Sequence, residues 1–424
     1  MGLDNTIQVA YALNDNFTMF TCVSMTSLLH NTKRCVHFHV FENSLSEENK
    51  DTLRGIGEKY PNGEWTFYHV ESSDQFVIGN ETYLTVETYF RVFIPSLLSS
   101  NDKVLWIDGD TVIDGDISEL WDVDMLGYCV AGCLEPAVVG GIEKKPKEIK
   151  NHYFNAGVMI YNLSEIKNSK IDLHSKAKEI APQLLNKCSD MGFNFHEDQD
   201  CLNYIFKGKV KYLPPKYNSK HTFVQSRDTF TIKEQKEAFL KPLIIHYGGR
   251  DLRTISELNV ATQNPFWDTW WNYKQLTIFF TDADERKLLE YSERIKSANK
   301  TLFPEAYKAT YRYKIFDNMA KQLRHKGKKI AVWGNNVFLR YLIVILAMND
   351  IEVSIIVDGM PRNYFEQVYD LVVQPSETLR GKADEYFIIL SMSDKAVSNK
   401  VKGICMQYGY EKSDYIWVFD ESYL

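Results

Sequence analysis

Apolar runs that alternate with helix-patterned stretches fill the first ~130 residues of the chain, and this alternation leaves few architectures open. IQVAYAL (Ile7–Leu13), VHFHVF (Val36–Phe41), WTFYHV (Trp65–Val70) and VLWI (Val104–Ile107) read as strands. Helices are expected between them, over Phe17–Asn31, over Ser46–Lys59 and in a segment ending with ETYFRVFIPSLL at Glu87–Leu98. Strands and helices in this rhythm predict a doubly wound α/β sheet, in which ligands gather at the carboxyl ends of the strands.

The strand VLWI is apolar on both faces, as suits the middle of a sheet covered on each side. It runs straight into Asp108-Gly109-Asp110. Along an extended chain both carboxylates project to the same side, and Gly109 leaves room for a ligand to approach the backbone. Like charges held together call for a bound cation or a shared proton. On this stretch alone the readings are a polar turn capping the strand, a calcium loop, or a divalent-metal site serving a phosphorylated ligand. The calcium loop fails because Val112 and Ile113 stand where a ligand and the turn glycine are needed. The metal reading requires partners elsewhere.

Composition narrows the function further. The 424 residues suffice for two domains, and 13% aromatic residues, 25 Tyr among them, suit surfaces that stack on sugars and bases. A formal charge of −7 and an isoelectric point near 5.9 argue against nucleic-acid binding and leave at most a peripheral membrane association. The seven cysteines are scattered, and Cys129 and Cys133 lack the nearby His or second pair of a zinc site, so reduced core thiols are expected. No stretch approaches the roughly 18 apolar residues of a membrane span, and the N-terminus lacks a basic segment followed by an apolar one. The expected location is cytoplasmic.

Between Asn155 and His246 the pattern loosens, and FNFHEDQDCLNYIF reads as a loop entering a helix at Asp198. From about Thr281 to Lys329 the sequence is charged and helical. The tail then starts a second α/β unit, with strands in KKIAVW, EVSIIVD, LVVQP, EYFIIL and YIWVF and helices over Val337–Met348 and Asp394–Tyr408. The expected division is 1–280, a helical connector over 281–328, and a smaller unit over 329–424.

Over roughly residues 6 to 280 an ordered set of motifs carries a resemblance: YALNDNF, ETYFRVFIPSLL, DGD, FNAGVMIYNL (Phe154–Leu163), EDQDCLN (Glu197–Asn203) and HYGG from His246. The set resembles the family-8 glycosyltransferases, retaining enzymes that include glycogenin and bacterial lipooligosaccharide galactosyltransferases. The resemblance implies a GT-A type nucleotide-diphospho-sugar transferase fold with 1–280 as the catalytic domain. It implies that Asp108, Asp110 and His246 hold a divalent cation, usually manganese, that bridges the donor diphosphate. Two carboxylates and an imidazole suit Mn²⁺ chemically. By the same likeness, Ala12, Asn14, Asn16 and Phe17 hold the uridine, and Gly109 and Gly249 line the donor. Arg91, Glu135, Asn155, Asp198 and Gln199 match the sugar-contacting positions, with Gln199 and Asp198 steadying the developing oxocarbenium charge.

The implied reaction moves glucose or galactose from UDP-glucose or UDP-galactose, with retention, to a hydroxyl on a glycan, lipid-linked sugar or protein. The setting is bacterial polysaccharide, lipooligosaccharide or glycoprotein synthesis. The alternatives are a catalytically silent UDP-sugar sensor and a sugar-binding module. Several positions depart from the family pattern: Asn14 replaces Asp, Phe17 replaces the more frequent Tyr, Glu135 replaces Asp, and Leu252 stands where a diphosphate-binding lysine is usual. Arg250 or Arg253 is the expected substitute for that lysine. NPFWDTWW (Asn264–Trp271) supplies either the missing Pro/Trp part or aromatic core. The tail resembles small Rossmann-like domains, but Gly334 begins a phosphate loop lacking two of its three glycines, although Asp358 is placed to reach a ribose hydroxyl. An interaction or regulatory role is expected there, oligomer formation included.

Overall fold

The computed structural model describes residues 6–71, 86–135, 145–150, 152–192, 194–220, 229–258, 264, 266–301, 312–325, 327–336, 338–420 and 422. The chain divides into two compact units. One comprises Met1–His221, Lys241–Asn259 and Phe266–Arg286, and the other Thr222–Leu240, Val260–Pro265 and Lys287–Leu424. The units interleave along the chain, whereas the division read from the sequence is consecutive.

The first unit contains the strands Ile7–Ala12 (β1), Val36–Glu42 (β2), Gly63–His69 (β3), Lys103–Ile107 (β4), Thr111–Ile113 (β5), Val130–Leu134 (β6), Phe154–Asn162 (β7), Val210–Leu213 (β8) and Ile244–His246 (β9). Seven of them form one sheet in the order β3-β2-β1-β4-β7-β6-β8. Pairing is parallel from β3 to β4, while β7 runs antiparallel to both β4 and β6. On β4, Val104 and Trp106 enter one hydrophobic cluster and Leu105 and Ile107 the other, so both faces are covered. Local chemistry sets the flanking helices. Ser46 caps Glu47–Lys59 by accepting from Asn49 N at 3.3 Å, with Glu47 and Glu48 in the positive first turn.

Chain order reverses between β1 and β4, which opens the switch-point crevice beyond their carboxyl ends. Two expectations change here. β4 ends at Ile107 and Gly109–Asp110 form a turn, so a reversal rather than an extended strand brings the acids together. The Glu87–Leu98 segment is a 3₁₀ helix, Val86–Phe93, followed by the short α-helix Ile94–Leu97, with Pro95 in its first turn.

The second unit holds Lys329–Trp333 (β10), Val353–Asp358 (β11), Gln367–Val368 (β12), Leu371–Pro375 (β13), Tyr386–Leu390 (β14) and Tyr415–Trp417 (β15) in the order β12-β13-β11-β10-β14-β15. All pairs are parallel except β12 with β13. Helices Leu339–Met348 and Lys395–Gln407 accompany it, the latter capped by Asp394, which accepts from Val397 N. The helix Ile232–Leu240, far away in sequence, also belongs to this unit: Gln235 bonds Tyr369 Oη and Lys236 pairs with Asp350 at 2.6 Å. Asp358 accepts from Asn335 N and Met360 N, one on each oxygen, so its own loops engage the carboxylate expected at a ribose.

Candidate active site

The pairing of two three-residue strands assembles the centre. β5 and β9 run antiparallel with Thr111 opposite His246, and Tyr247 N donates to Asp110 O at 3.1 Å. This places His246 Nε2 3.3 Å from Asp110 Oδ1. Ligand atoms of Asp108, Asp110 and His246 all lie within 4.8 Å of one another. Two carboxylates and an imidazole at that spacing fit a divalent cation of the Mn²⁺ or Mg²⁺ type. Burial pushes the Asp110 carboxyl up, but His246 and the nearby Lys220 outweigh it, and the group rests below the usual carboxylate range.

Arg91, only 5% exposed, binds the acids together. Its Nη2 lies 3.0 Å from Asp108 Oδ1, its Nε 2.9 Å from Asp198 Oδ2, its Nη1 donates to Ala156 O, and its guanidinium covers the Trp106 ring at 4.6 Å. Within its own helix Arg91 makes one further bond, from Nε to Thr88 O. Desolvation raises the Asp198 carboxyl to about 7 against the opposing pull of Arg91. Asp198 Oδ2 has a charge partner but no aligned hydrogen bond. Nor is Asp198 an N-cap: it lies in the first turn of Glu197–Ile205, behind His196.

Gln199 follows in the same turn. Its Oε1 accepts from Ala156 N at 2.9 Å and Asn155 Nδ2 at 3.2 Å, and its Nε2 donates to Tyr153 Oη at 3.1 Å. Tyr153 in turn donates to Asp200, which Lys145 neutralises at 2.7 Å. Asn155 is saturated: Oδ1 accepts from Gly157 N and Asn218 Nδ2, and Nδ2 donates to Glu135 and Gln199. It therefore works as a junction, and bonding a sugar hydroxyl would displace one of these partners. Glu135 is held by Asn155 and by Lys220, whose Nζ is 3.2 Å away.

At the end of β1, Asn14 Oδ1 accepts from Asn16 N at 3.1 Å, and Nδ2 reaches Glu87 Oε1 at 3.3 Å. Ala12, Asn14 and Phe17 are half-buried and Asn16 is exposed. The site of a Cβ on Gly249 lies 3.9 Å from Phe17 Cζ, so the two positions share one side of the crevice. Gly109 is also needed for packing, because a Cβ there would stand 2.4 Å from Thr21 Oγ1. Leu252 is 1% exposed, so the usual lysine position lies in the core. Arg253 is exposed, and the Arg250 side chain falls outside the described residues. Trp270 and Trp271 are buried against each other, which favours aromatic core for that segment, while Pro265 lies outside the described residues. Sequence reasoning missed Lys220, Asn218, Tyr153 and Glu87. Each acts through partners far away in sequence, and a single sequence carries no signal for such pairs.

A switch-point crevice with an Asp/Asp/His cluster at its rim defines a GT-A type transferase domain, here joined to a second, Rossmann-like unit. The chain belongs to glycosyl transferase family 8, whose model matches residues 8–251. It is 24% identical over 274 residues to the lipopolysaccharide 1,3-galactosyltransferase of Salmonella typhimurium, covering 62% of this chain and 74% of that one. It is 26% identical over 304 residues to a lipopolysaccharide 1,2-glucosyltransferase of Escherichia coli, covering 68% and 84%. The solved galactosyltransferase LgtC, in complex with donor and acceptor sugar analogs, superposes with a TM-score of 0.54 at 22% identity, over 66% of this chain and all of that one. Among the described residues no helix is long and apolar enough to cross a membrane.

Proposed function

We propose that the protein is a cytoplasmic, metal-dependent, retaining hexosyltransferase that moves glucose or galactose from a UDP-sugar to a hydroxyl of a glycan, lipid-linked sugar or protein. The setting is bacterial polysaccharide, lipooligosaccharide or glycoprotein synthesis, with residues 1–280 as the catalytic segment and the tail in a regulatory or assembly role. One observation carries this reading: Asp108 and Asp110 meet His246, distant in sequence, beside the Arg91–Asp198 pair. A cation such as Mn²⁺ held by those three residues supplies positive charge where the diphosphate departs.

The chain's own residues do the remaining work. Arg91 fixes Asp108 and Asp198 relative to each other, which sets the distance from the phosphate end of the donor to its sugar. Asp198 presents a buried oxygen without an aligned hydrogen bond to the sugar, and Gln199 holds its amide dipole in a fixed direction between Ala156 N and Tyr153. A fixed dipole stabilises oxocarbenium charge without reorganisation. As the C1–O bond to the diphosphate breaks, the acceptor oxygen bonds C1 on the same face, and its proton passes to the departing phosphate oxygen. The α configuration is thereby kept. With Leu252 in place of the usual lysine, Lys220, beside Glu135 and near Asp110, joins Arg250 and Arg253 as a candidate to meet the diphosphate.

The test is a panel of UDP-sugars with Mn²⁺, scored for donor hydrolysis without acceptor. UDP-glucose or UDP-galactose should turn over, and both a chelator and Asp110→Ala should abolish it. Undiminished turnover by metal-free protein overturns the reading. A silent UDP-sugar sensor draws support from buried Leu252 and from Asn14, and would bind the donor with metal yet release no hexose.

A further inference from the structure

We infer that Asn218 is the positioning residue that makes His246 a metal ligand, by holding the ring proton on Nδ1 so that Nε2 stays open toward Asp110. This rests on the reading of Asp108, Asp110 and His246 as a cation site.

Two backbone N–H groups dictate the direction of the hydrogen bonds. Gly157 N donates to Asn155 Oδ1 at 3.0 Å, so that atom is an acceptor and the amide cannot be flipped. Asn218 meets the same oxygen at 2.8 Å and must do so with its NH₂ group. Its carbonyl oxygen is then the atom 2.9 Å from His246 Nδ1, which must carry a hydrogen. The other end is pinned independently. Ala156 N donates to Gln199 Oε1, so the Asn155 amide nitrogen faces oxygens on Glu135 and Gln199, as a donor requires.

Opposite pulls act on the His246 ring. With one proton on a neutral ring, Asp110 Oδ1 at 3.3 Å from Nε2 draws it to Nε2, and such an N–H would close the ring to a cation. Asn218 opposes this from the other side. Its side chain is wholly buried, so no water replaces its oxygen, and its rotamer is fixed by the bond to Asn155. The polarity of the network thus reserves the Nε2 lone pair for a cation between His246 and Asp110, as metal-bound histidines commonly require of their second nitrogen.

The experiment uses the full chain stripped of metal and titrated with Mn²⁺, alone and with UDP, with free Mn²⁺ followed by electron paramagnetic resonance. Asn218→Leu should weaken Mn²⁺ binding about 10–100-fold, while thermal unfolding without metal stays cooperative. In parallel, ¹⁵N-histidine NMR of metal-free wild type at alkaline pH, with His246 assigned by His246→Gln, should show the Nδ1–H tautomer. Unchanged Mn²⁺ affinity in a folded Asn218→Leu, or an Nε2–H signal from His246, overturns the inference. Should the variant not fold, the wild-type tautomer decides. Should wild type bind no Mn²⁺, the cation-site reading fails, and the tautomer result still judges Asn218 separately.

Discussion

Gly157→Ala should abolish tight metal binding while leaving the fold standing. Gly157 lies within β7, where its carbonyl accepts from Asp108 N at 2.8 Å, and its value is closeness rather than backbone freedom. A Cβ would sit 2.2 Å from His246 Cε1 and 2.9 Å from Asp108 Oδ2, where ordinary contact begins at 3.4 Å. The imidazole must therefore retreat by 3.4 − 2.2 = 1.2 Å. Ligand distances in metal sites hold to about ±0.2 Å, so a shift of that size removes the ligand. A loss of at least ~100-fold in Mn²⁺ affinity follows, about 2.8 kcal/mol at 1.4 kcal/mol per decade. Overpacking of one methyl costs the fold about 1–3 kcal/mol, which a domain of ordinary stability survives. Mn²⁺ titration and thermal unfolding read the two effects separately. Gly132→Ala is the control, since its Cβ would meet the Phe154 ring at 3.3 Å and Asn155 O at an ordinary 3.6 Å, away from the three ligands, and metal binding should persist. A folded Gly157→Ala with wild-type Mn²⁺ affinity would refute the packing argument and the site built on it.

Two further outcomes follow from the sugar side of the crevice. Gln199→Ala should lower kcat by more than it raises KM, because a fixed amide helps most when the sugar carries charge; steady-state kinetics showing a pure KM effect would contradict that role. Burial raises Asp198 to about 7, so the folded chain keeps a proton that the unfolded chain releases near pH 4, and stability falls as pH rises from about 4 to about 7. Asp198→Asn should flatten that fall by at most roughly 3 kcal/mol between pH 5 and pH 8, read from urea midpoints at those two values, and an unchanged slope would count against it.

The elements that the sequence made legible are those whose signal is local. Apolar runs marked the long strands, and Ser46 and Asp394 announced helices they cap. The all-apolar VLWI correctly implied a strand covered on both faces. What escaped depends on residues that meet only after folding. β5 and β9 are three residues each, too short for periodicity to reveal, yet their register carries His246 to Asp110. The close approach of Thr21 to Gly109 gave no sign in sequence, and nor did Gly157, where His246 and Asp108 press closest. Asn155, expected at the sugar, also joins a network running from His246 to Gln199 that no local pattern announces. The helix Ile232–Leu240 belongs to the second unit because Gln235 and Lys236 find partners more than a hundred residues later.

The central claim is retaining, metal-dependent transfer from a UDP-hexose. Proton NMR of the first product formed from UDP-α-glucose or UDP-α-galactose with Mn²⁺ tests it most directly. Retention gives an α-anomeric signal, absent when a chelator is present; a β-anomer, or an α-anomer formed equally fast without metal, rules out metal-dependent retention.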